Sequence, residues 1–399
     1  MPSLRTIVSA GLLASTVLSL CLLSRDAQAS DCTNPLVSTC INSDTYWPHA
    51  GPMRMQAVAS AETADEGQVA FGLVTSYLSR PIVLHIASPG PGGSQQNVVD
   101  NQVNSNFLWA YGVTKRLQLD FALPATVIQD GAGTSPITGG HTLRDTAVRD
   151  LRFGLAYSLI PRARVDLDTQ ARRLADANAS PNEKSTGVYG LVTRFEVSAP
   201  TGDRDQFAGE RTAVFVPSVA GDYRRGRWFG GAELGWRIRP TTEFAGARIG
   251  QQVMLALGAG VDILPKELLA ASAEAHAFYN LAEQHDTAQT LTGLSSHPNG
   301  SHIIPAEWTI AARTAPLLAG DLAFSLGGGG ALPLGDSAAT TPRFRFTLGI
   351  IYAPLGRDSD GDGVVDKQDR CPHDAQSSTS YPPRDGCTHD NPPEAETGK

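Results

Sequence analysis

The stretch Arg343-Phe344-Arg345-Phe346-Thr347-Leu348-Gly349-Ile350-Ile351-Tyr352 decides the fold. Phe344, Phe346, Leu348, Ile350 and Tyr352 share one face of an extended chain; Arg343, Arg345, Thr347 and Gly349 share the other. Side chains alternate across a strand with period two, so one face is oily and the other polar and small. The pattern recurs upstream. Leu117, Leu119, Phe121 and Leu123 oppose Gln118, Asp120 and Ala122. Leu151, Phe153, Leu155, Tyr157 and Leu159 oppose Arg152, Gly154 and Ser158. Leu191, Phe195 and Val197 oppose Arg194, Glu196 and Ser198, and Trp228, Leu234, Trp236 and Ile238 oppose Glu233, Arg237 and Arg239.

About twelve such strands are predicted, at roughly 67–86, 98–112, 116–128, 146–160, 187–200, 211–224, 226–239, 249–264, 267–280, 306–316, 320–333 and 342–355. Most are long enough to cross a bilayer when tilted, which takes about 9–11 residues. Their connections alternate between short turns and long loops. Residues 161–186 break that rule: they form a long charged connection where a short turn is due. Either the strand count is off there or the chain carries an insertion.

Alternation alone fits two all-β architectures. A soluble or cell-surface β-sandwich would bury the oily faces between two sheets, and with calcium it would serve adhesion. A transmembrane antiparallel β-barrel would turn them to lipid. Two features favour the barrel, over residues 67–356. The opposite face carries Gly, Ala, Ser and Thr with scattered charges, as a lumen does. Trp109, Tyr111, Trp228, Trp236, Tyr279, Trp308 and Tyr352 gather near strand ends, as interfacial girdles do. Past the N-terminal leader no run reaches the about 18–20 apolar residues of a spanning helix. Only a closed sheet then satisfies its backbone in hydrocarbon.

The barrel reading puts Asp120, Arg152, Arg194, Glu196, Glu233, Arg237, Glu274, His276, Arg313, Arg343 and Arg345 on the lumen face. An Arg turned to lipid at midplane would cost about 2–4 kcal/mol. Two roles are open for these charges: a selectivity field in a water-filled pore, or salt bridges inside a plugged lumen. Glu274 and His276 share a face suited to acid–base work, but no Ser motif accompanies them, and no catalytic residue or enzyme activity is expected. His285, His297 and His302 are too widely spaced for a metal site and read as a solvated loop.

The termini carry separate signals. Arg5, the apolar stretch Ile7–Leu23 and Ala27-Gln28-Ala29 make residues 1–29 a secretory signal peptide. Residues 30–66 read as an N-terminal periplasmic segment. After cleavage four cysteines remain, Cys32 with Cys40 and Cys371 with Cys387 as sequence-local pairs, suggesting two disulfides. Asp358, Asp360, Asp362, Asp366 and Asp369 take positions 1, 3, 5, 9 and 12 of a loop with Gly363 at position 6 and the Val364 carbonyl at position 7. That spacing suits Ca²⁺, which gathers six to eight hard oxygens. Residues 357–372 are therefore a calcium-binding repeat, and 373–399 a disordered, Pro-rich acidic tail.

Asp-x-Asp-x-Asp-Gly-x-x-Asp-x-x-Asp-x-Cys-Pro, over Asp358–Pro372, resembles one thrombospondin type 3 repeat. Asn106–Val113, Phe121–Pro124, Arg149–Leu155 and Ala199–Asp203 resemble barrel-forming outer-membrane proteins of Gram-negative bacteria that carry OmpA-type tails. The resemblance implies an outer-membrane location and a passive pore or envelope structural role. Residues 372–399 are too short and polar for the peptidoglycan-binding domain of that family, so wall anchoring does not carry over. The net charge of −8 argues against nucleic acid. The expected partners are outer-membrane lipid and, through the tail, other envelope proteins.

Overall fold

The computed structural model describes residues 32, 36–64, 66–86, 94–135, 142–161, 188–264, 268–290, 293–314, 322–334, 340–353, 371 and 387. Among them the chain forms β1 (Val69–Ile86), β2 (Ser94–Gly112), β3 (Leu117–Asp130), β4 (Ala147–Val148), β5 (Arg152–Ile160) and β6 (Val188–Ser198). It continues through β7 (Val214–Arg225), β8 (Trp228–Arg237), β9 (Thr242–Phe244), β10 (Ala247–Ile249), β11 (Gln252–Asp262) and β12 (Leu269–Asn280). The last are β13 (His285–Thr290), β14 (Gly293–Pro298), β15 (Ala306–Thr314), β16 (Leu322–Ala331) and β17 (Phe344–Tyr352).

Twelve of these build a closed antiparallel barrel, in the order β2-β1-β17-β16-β15-β12-β11-β8-β7-β6-β5-β3, with β3 pairing back to β2. The seam joins the first strand to the last, from Phe71 opposite Tyr352 to Ser79 opposite Phe344. Closure leaves no free edge, and it excludes the sandwich alternative. The outside is a belt of large exposed side chains, among them Leu119, Phe153, Trp236, Leu257, Ile310, Phe346 and Leu348. The inward residues between them are buried, so period two is the barrel's inside–outside code.

The connection 161–187 joins β5 to β6 at the end of the barrel that carries the short turns, since Ile160 pairs with Leu191 there. Twelve strands stand, so the strand count is not off there; residues 162–187 themselves lie outside the described residues. The expected strand 146–160 is broken. Arg149, Asp150 and Leu151 leave the ladder between β4 and β5, and Arg149 and Asp150 are buried. The loop 240–248 contains the β9–β10 hairpin, and the loop 281–305 contains β13–β14.

One expectation fails by position. Residues 36–64, taken above as part of a periplasmic segment, lie inside the barrel. Val37 bridges Phe244, Ser38 N–H donates to the Glu243 carbonyl and Ser43 N–H to the Phe207 carbonyl, all at the long-loop end. At the other end Gly67 N–H donates to the Gly112 carbonyl beside the short turns. The segment therefore threads the lumen from end to end before β1 begins. Val37 and Ile41 seal the loop end in an apolar cluster with Ile82, Val98, Val99, Phe207, Phe244 and Ile249. The signal peptide, the calcium loop Asp358–Asp369 and the tail 373–399 lie outside the described residues, Cys387 excepted. Cys32 is bonded to Cys40 and Cys371 to Cys387.

Candidate functional site

Beyond Val37, residues 38–64 form neither helix nor strand. Gly51, Pro48 and Pro52 interrupt any regular path, and the run Ala57-Val58-Ala59-Ser60-Ala61 is narrow. A backbone buried without a ladder must find other acceptors, because each unpaired buried N–H costs about 1–3 kcal/mol. Side chains of the barrel wall supply them. Glu274 of β12 accepts from Gln56 N–H (3.0 Å) and Ala57 N–H (2.6 Å). Glu233 of β8 accepts from Ala59 N–H at 3.0 Å, and Asp222 of β7 from Ala61 N–H at 3.1 Å. Gln118 of β3 accepts from Ala64 N–H at 2.6 Å. The plug is thus racked on inward carboxylates of β12, β8 and β7 and on the Gln118 amide of β3.

Its side chains are held by charge. His49 places Nδ1 2.9 Å from Glu196 and Nε2 3.2 Å from Glu233. Asp44 meets Arg345 at 2.9 Å and accepts from Asn104 at 2.8 Å. Arg345 also reaches both oxygens of Glu307, at 2.8 and 3.0 Å. Arg149 donates to Asn42 of the plug. Trp47 receives two guanidiniums on its ring, Arg152 at 5.0 Å and Arg237 at 4.5 Å from the centroid. Within the wall, Arg194 pairs with Asp120 at 2.6 Å.

Packing completes the closure. Met55 and Val58 nest against Phe229 and Ala256. Two wall glycines make that possible: a Cβ at Gly231 would lie 2.6 Å from Met55 Cε, and one at Gly258 2.5 Å from Met55 Sδ. Two voids beside the plug measure about 30 and 20 Å³. Such spaces hold a water or two.

Of the lumen residues expected from the sequence, Asp120, Arg152, Arg194, Glu196, Glu233, Arg237, Glu274, His276 and Arg345 are inward and buried. Arg313 is half-buried and borders the smaller void. Arg343 is the exception: it precedes β17 at the loop-end rim and is exposed. Of the two roles left open, a plug with internal ion pairs fits this arrangement. Glu274 also accepts from Ser272 Oγ at 2.7 Å. His285 donates or accepts within a Glu243–Arg248–Ser296 cluster, and His302 stacks on Tyr279. Among the described residues no three metal-ligating side chains converge.

Sequence reasoning missed Asp44, His49, Arg149, Asp150 and Glu307. Glu307 was legible, since it shares the face of Arg313 in the same strand. Asp150 braces the loop end: its carboxylate accepts from Gly202 N–H (2.8 Å) and Glu210 N–H (2.7 Å). Burial pushes its pKa up to about 6, against the opposing pull of those two N–H groups.

No protein-family model matches the chain, and no curated protein does. Among solved structures, an outer membrane channel from Pseudomonas putida F1 superposes with a TM-score of 0.45 at 13% identity, over 74% of this chain and 98% of that one. A Pseudomonas aeruginosa FadL homologue gives 0.35 at 10% identity, over 78% and 98% of the two chains. The Ralstonia pickettii toluene transporter TbuX gives 0.34 at 11% identity, over 72% and 90%. These are likenesses of the fold alone, that of outer-membrane β-barrels.

Proposed function

We infer that the chain is an outer-membrane channel held shut by its own N-terminal segment, with the long-loop end outside the cell and the short turns in the periplasm. Passage is passive, and it begins when the plug shifts. The observation that carries this is how the lumen is filled. Eight-stranded barrels fill with their own wall side chains, and sixteen-stranded ones leave an aqueous channel. Twelve strands fall between, and here the gap is taken up by residues 36–64, a separate segment held to the barrel wall by side-chain contacts, joined backbone to backbone with the loops near Val37, Ser38 and Ser43, and not woven into the barrel sheet. A segment bound that way can be displaced without unpairing the wall.

Residues 1–29 direct export. Asp358, Asp360, Asp362, Val364, Asp366 and Asp369 bind Ca²⁺ on the periplasmic side, ordering a repeat whose empty carboxylates repel one another. That repeat links the barrel to other envelope proteins.

The test is planar-bilayer conductance of the purified full chain and of a variant lacking residues 36–64. Heat-modifiable gel migration shows that the variant's barrel has formed. Steady current from the variant and brief or absent openings from the full chain are expected. A folded variant that carries no current would leave an envelope structural role in place of transport.

A further inference from the structure

His49 makes a contact whose chemistry fixes its charge. Ionised Glu196 and Glu233 only accept hydrogen bonds, and each faces a different nitrogen of the ring, at 2.9 and 3.2 Å. A neutral imidazole has one N–H. Serving both carboxylates takes the imidazolium. The ring is 9% exposed, so the two carboxylates are its main polar surroundings.

The charged groups around it show which carboxylate depends on it. Glu196, on β6, has two further cations, Arg152 at 3.7 Å and Arg194 at 3.9 Å, and Arg194 is shared with Asp120 of β3. Glu233, on β8, has no other cation within 4 Å among the described residues; its remaining partners are the neutral Ser218 Oγ at 2.8 Å and Ala59 N–H. Arg237 borders the same void but is committed to the Thr45 carbonyl (2.7 Å), between the rings of Trp47 and Phe278. His276 of β12 stands 3.6 Å from Glu307 on another side. The cation in contact with Glu233 is therefore brought by the plug itself, and Arg194 of the wall acts on that carboxylate only from beyond 4 Å.

We propose that His49 is the latch of the plug: its imidazolium pins the segment between β6 and β8, and loss of the ring proton frees it. This rests on the reading of the barrel as a plugged channel. When the ring is neutral, one carboxylate faces a lone pair in place of a donor, while in a displaced plug both carboxylates meet water. The plugged state thus holds the proton more tightly than the displaced one. Protons keep the channel shut, and the open population grows as pH rises. Each unit by which the two carboxylates raise the ring's proton affinity moves the balance about tenfold.

The experiment records open probability in planar bilayers between pH 6 and pH 9.5 for the full chain, for His49→Gln and for the variant lacking residues 36–64. The full chain should open at least about tenfold more often at the alkaline end. His49→Gln should already be open at pH 6 and nearly flat with pH, because its amide never carries the charge. Current from the deletion variant with a full chain insensitive to pH overturns the latch and spares the channel. Silence from a folded deletion variant overturns the channel reading itself. The wild-type titration needs no substitution, so a poorly folding His49→Gln leaves the test intact.

Discussion

Replacing Arg345 with Met should unseat the plug and leave the wall standing. Arg345 is shared: Glu307 of the wall takes its Nε and one terminal nitrogen, and Asp44 of the plug takes the latter at 2.9 Å. Its guanidinium also lies 5.1 Å from the centre of the Tyr46 ring. All three charged groups are 2–3% exposed. Met keeps much of the side chain's length and packing without the charge. Removing one partner of a buried ionic cluster typically costs about 3–5 kcal/mol, because the remaining charges stay buried and unmatched. Asp44 would retain Asn104 and the Tyr46 N–H, and Glu307 would retain Thr45 Oγ1 at 3.4 Å. The lower bound of about 3 kcal/mol is therefore the better figure. Asp44 escapes its share of that cost as soon as the plug moves and water reaches it. Asp44's share, roughly half, is about 1.5 kcal/mol, so at about 1.4 kcal/mol per tenfold closure should weaken roughly tenfold. Single-channel recording at pH 7 reads this directly, with heat-modifiable migration as the check on the barrel. Adding Asp44→Asn should restore much of the closure, since the plug then carries no unmatched charge. An Arg345→Met barrel that folds and opens within about twofold of wild type would mean that Arg345 serves the wall alone.

Asp150 gives a pH prediction at the loop end. Its pKa is raised from 3.8 to about 6, so the fold holds its proton more tightly than the unfolded chain does. The stability gained from that proton is complete below about pH 4 and lost as pH climbs through 6, a span of at most about 3 kcal/mol. Asp150→Asn should flatten the dependence of the melting temperature on pH between 4 and 7; an unchanged slope would rule Asp150 out as its source. Because Val37 and Ser38 sit at the loop end, an epitope placed before Asp31 should be read by antibody on intact cells, and one placed after Lys399 only after permeabilisation. The opposite pattern would reverse the threading or the orientation. Calorimetric titration of the detergent-solubilised chain should find one weak Ca²⁺ site, with a dissociation constant of about 10⁻⁴–10⁻³ M. It should vanish in Asp360→Ala with Asp362→Ala, and persistence would reject those ligands.

The barrel was readable because lipid enforces it. Every outward side chain from Phe344 to Tyr352 answers to hydrocarbon, so the period survives in the sequence, and strand ends came out within a few residues. The break at Arg149-Asp150-Leu151 was not readable, since Leu151 continues the oily alternation. Only the folded loops bring Gly202 and Glu210 N–H to Asp150, and that tertiary demand overrides the strand. The plug left no periodic trace at all. Its acceptors lie far along the chain, as when Gln56 N–H meets Glu274, 218 residues away. A backbone satisfied by distant side chains has no local signature.

The lumen charges were half readable. Their inward direction followed from the cost of lipid, but their purpose did not, because a water-filled pore and a plugged one present the same face to a sequence. What separates the two is complementarity of shape. Gly231 and Gly258 stand where any Cβ would crowd Met55. A water-filled lumen places no such demand on those positions. The wall is fitted to the segment it encloses. The carboxylates that a sequence offers as a pore lining are, in this structure, acceptors for the backbone of residues 56–61.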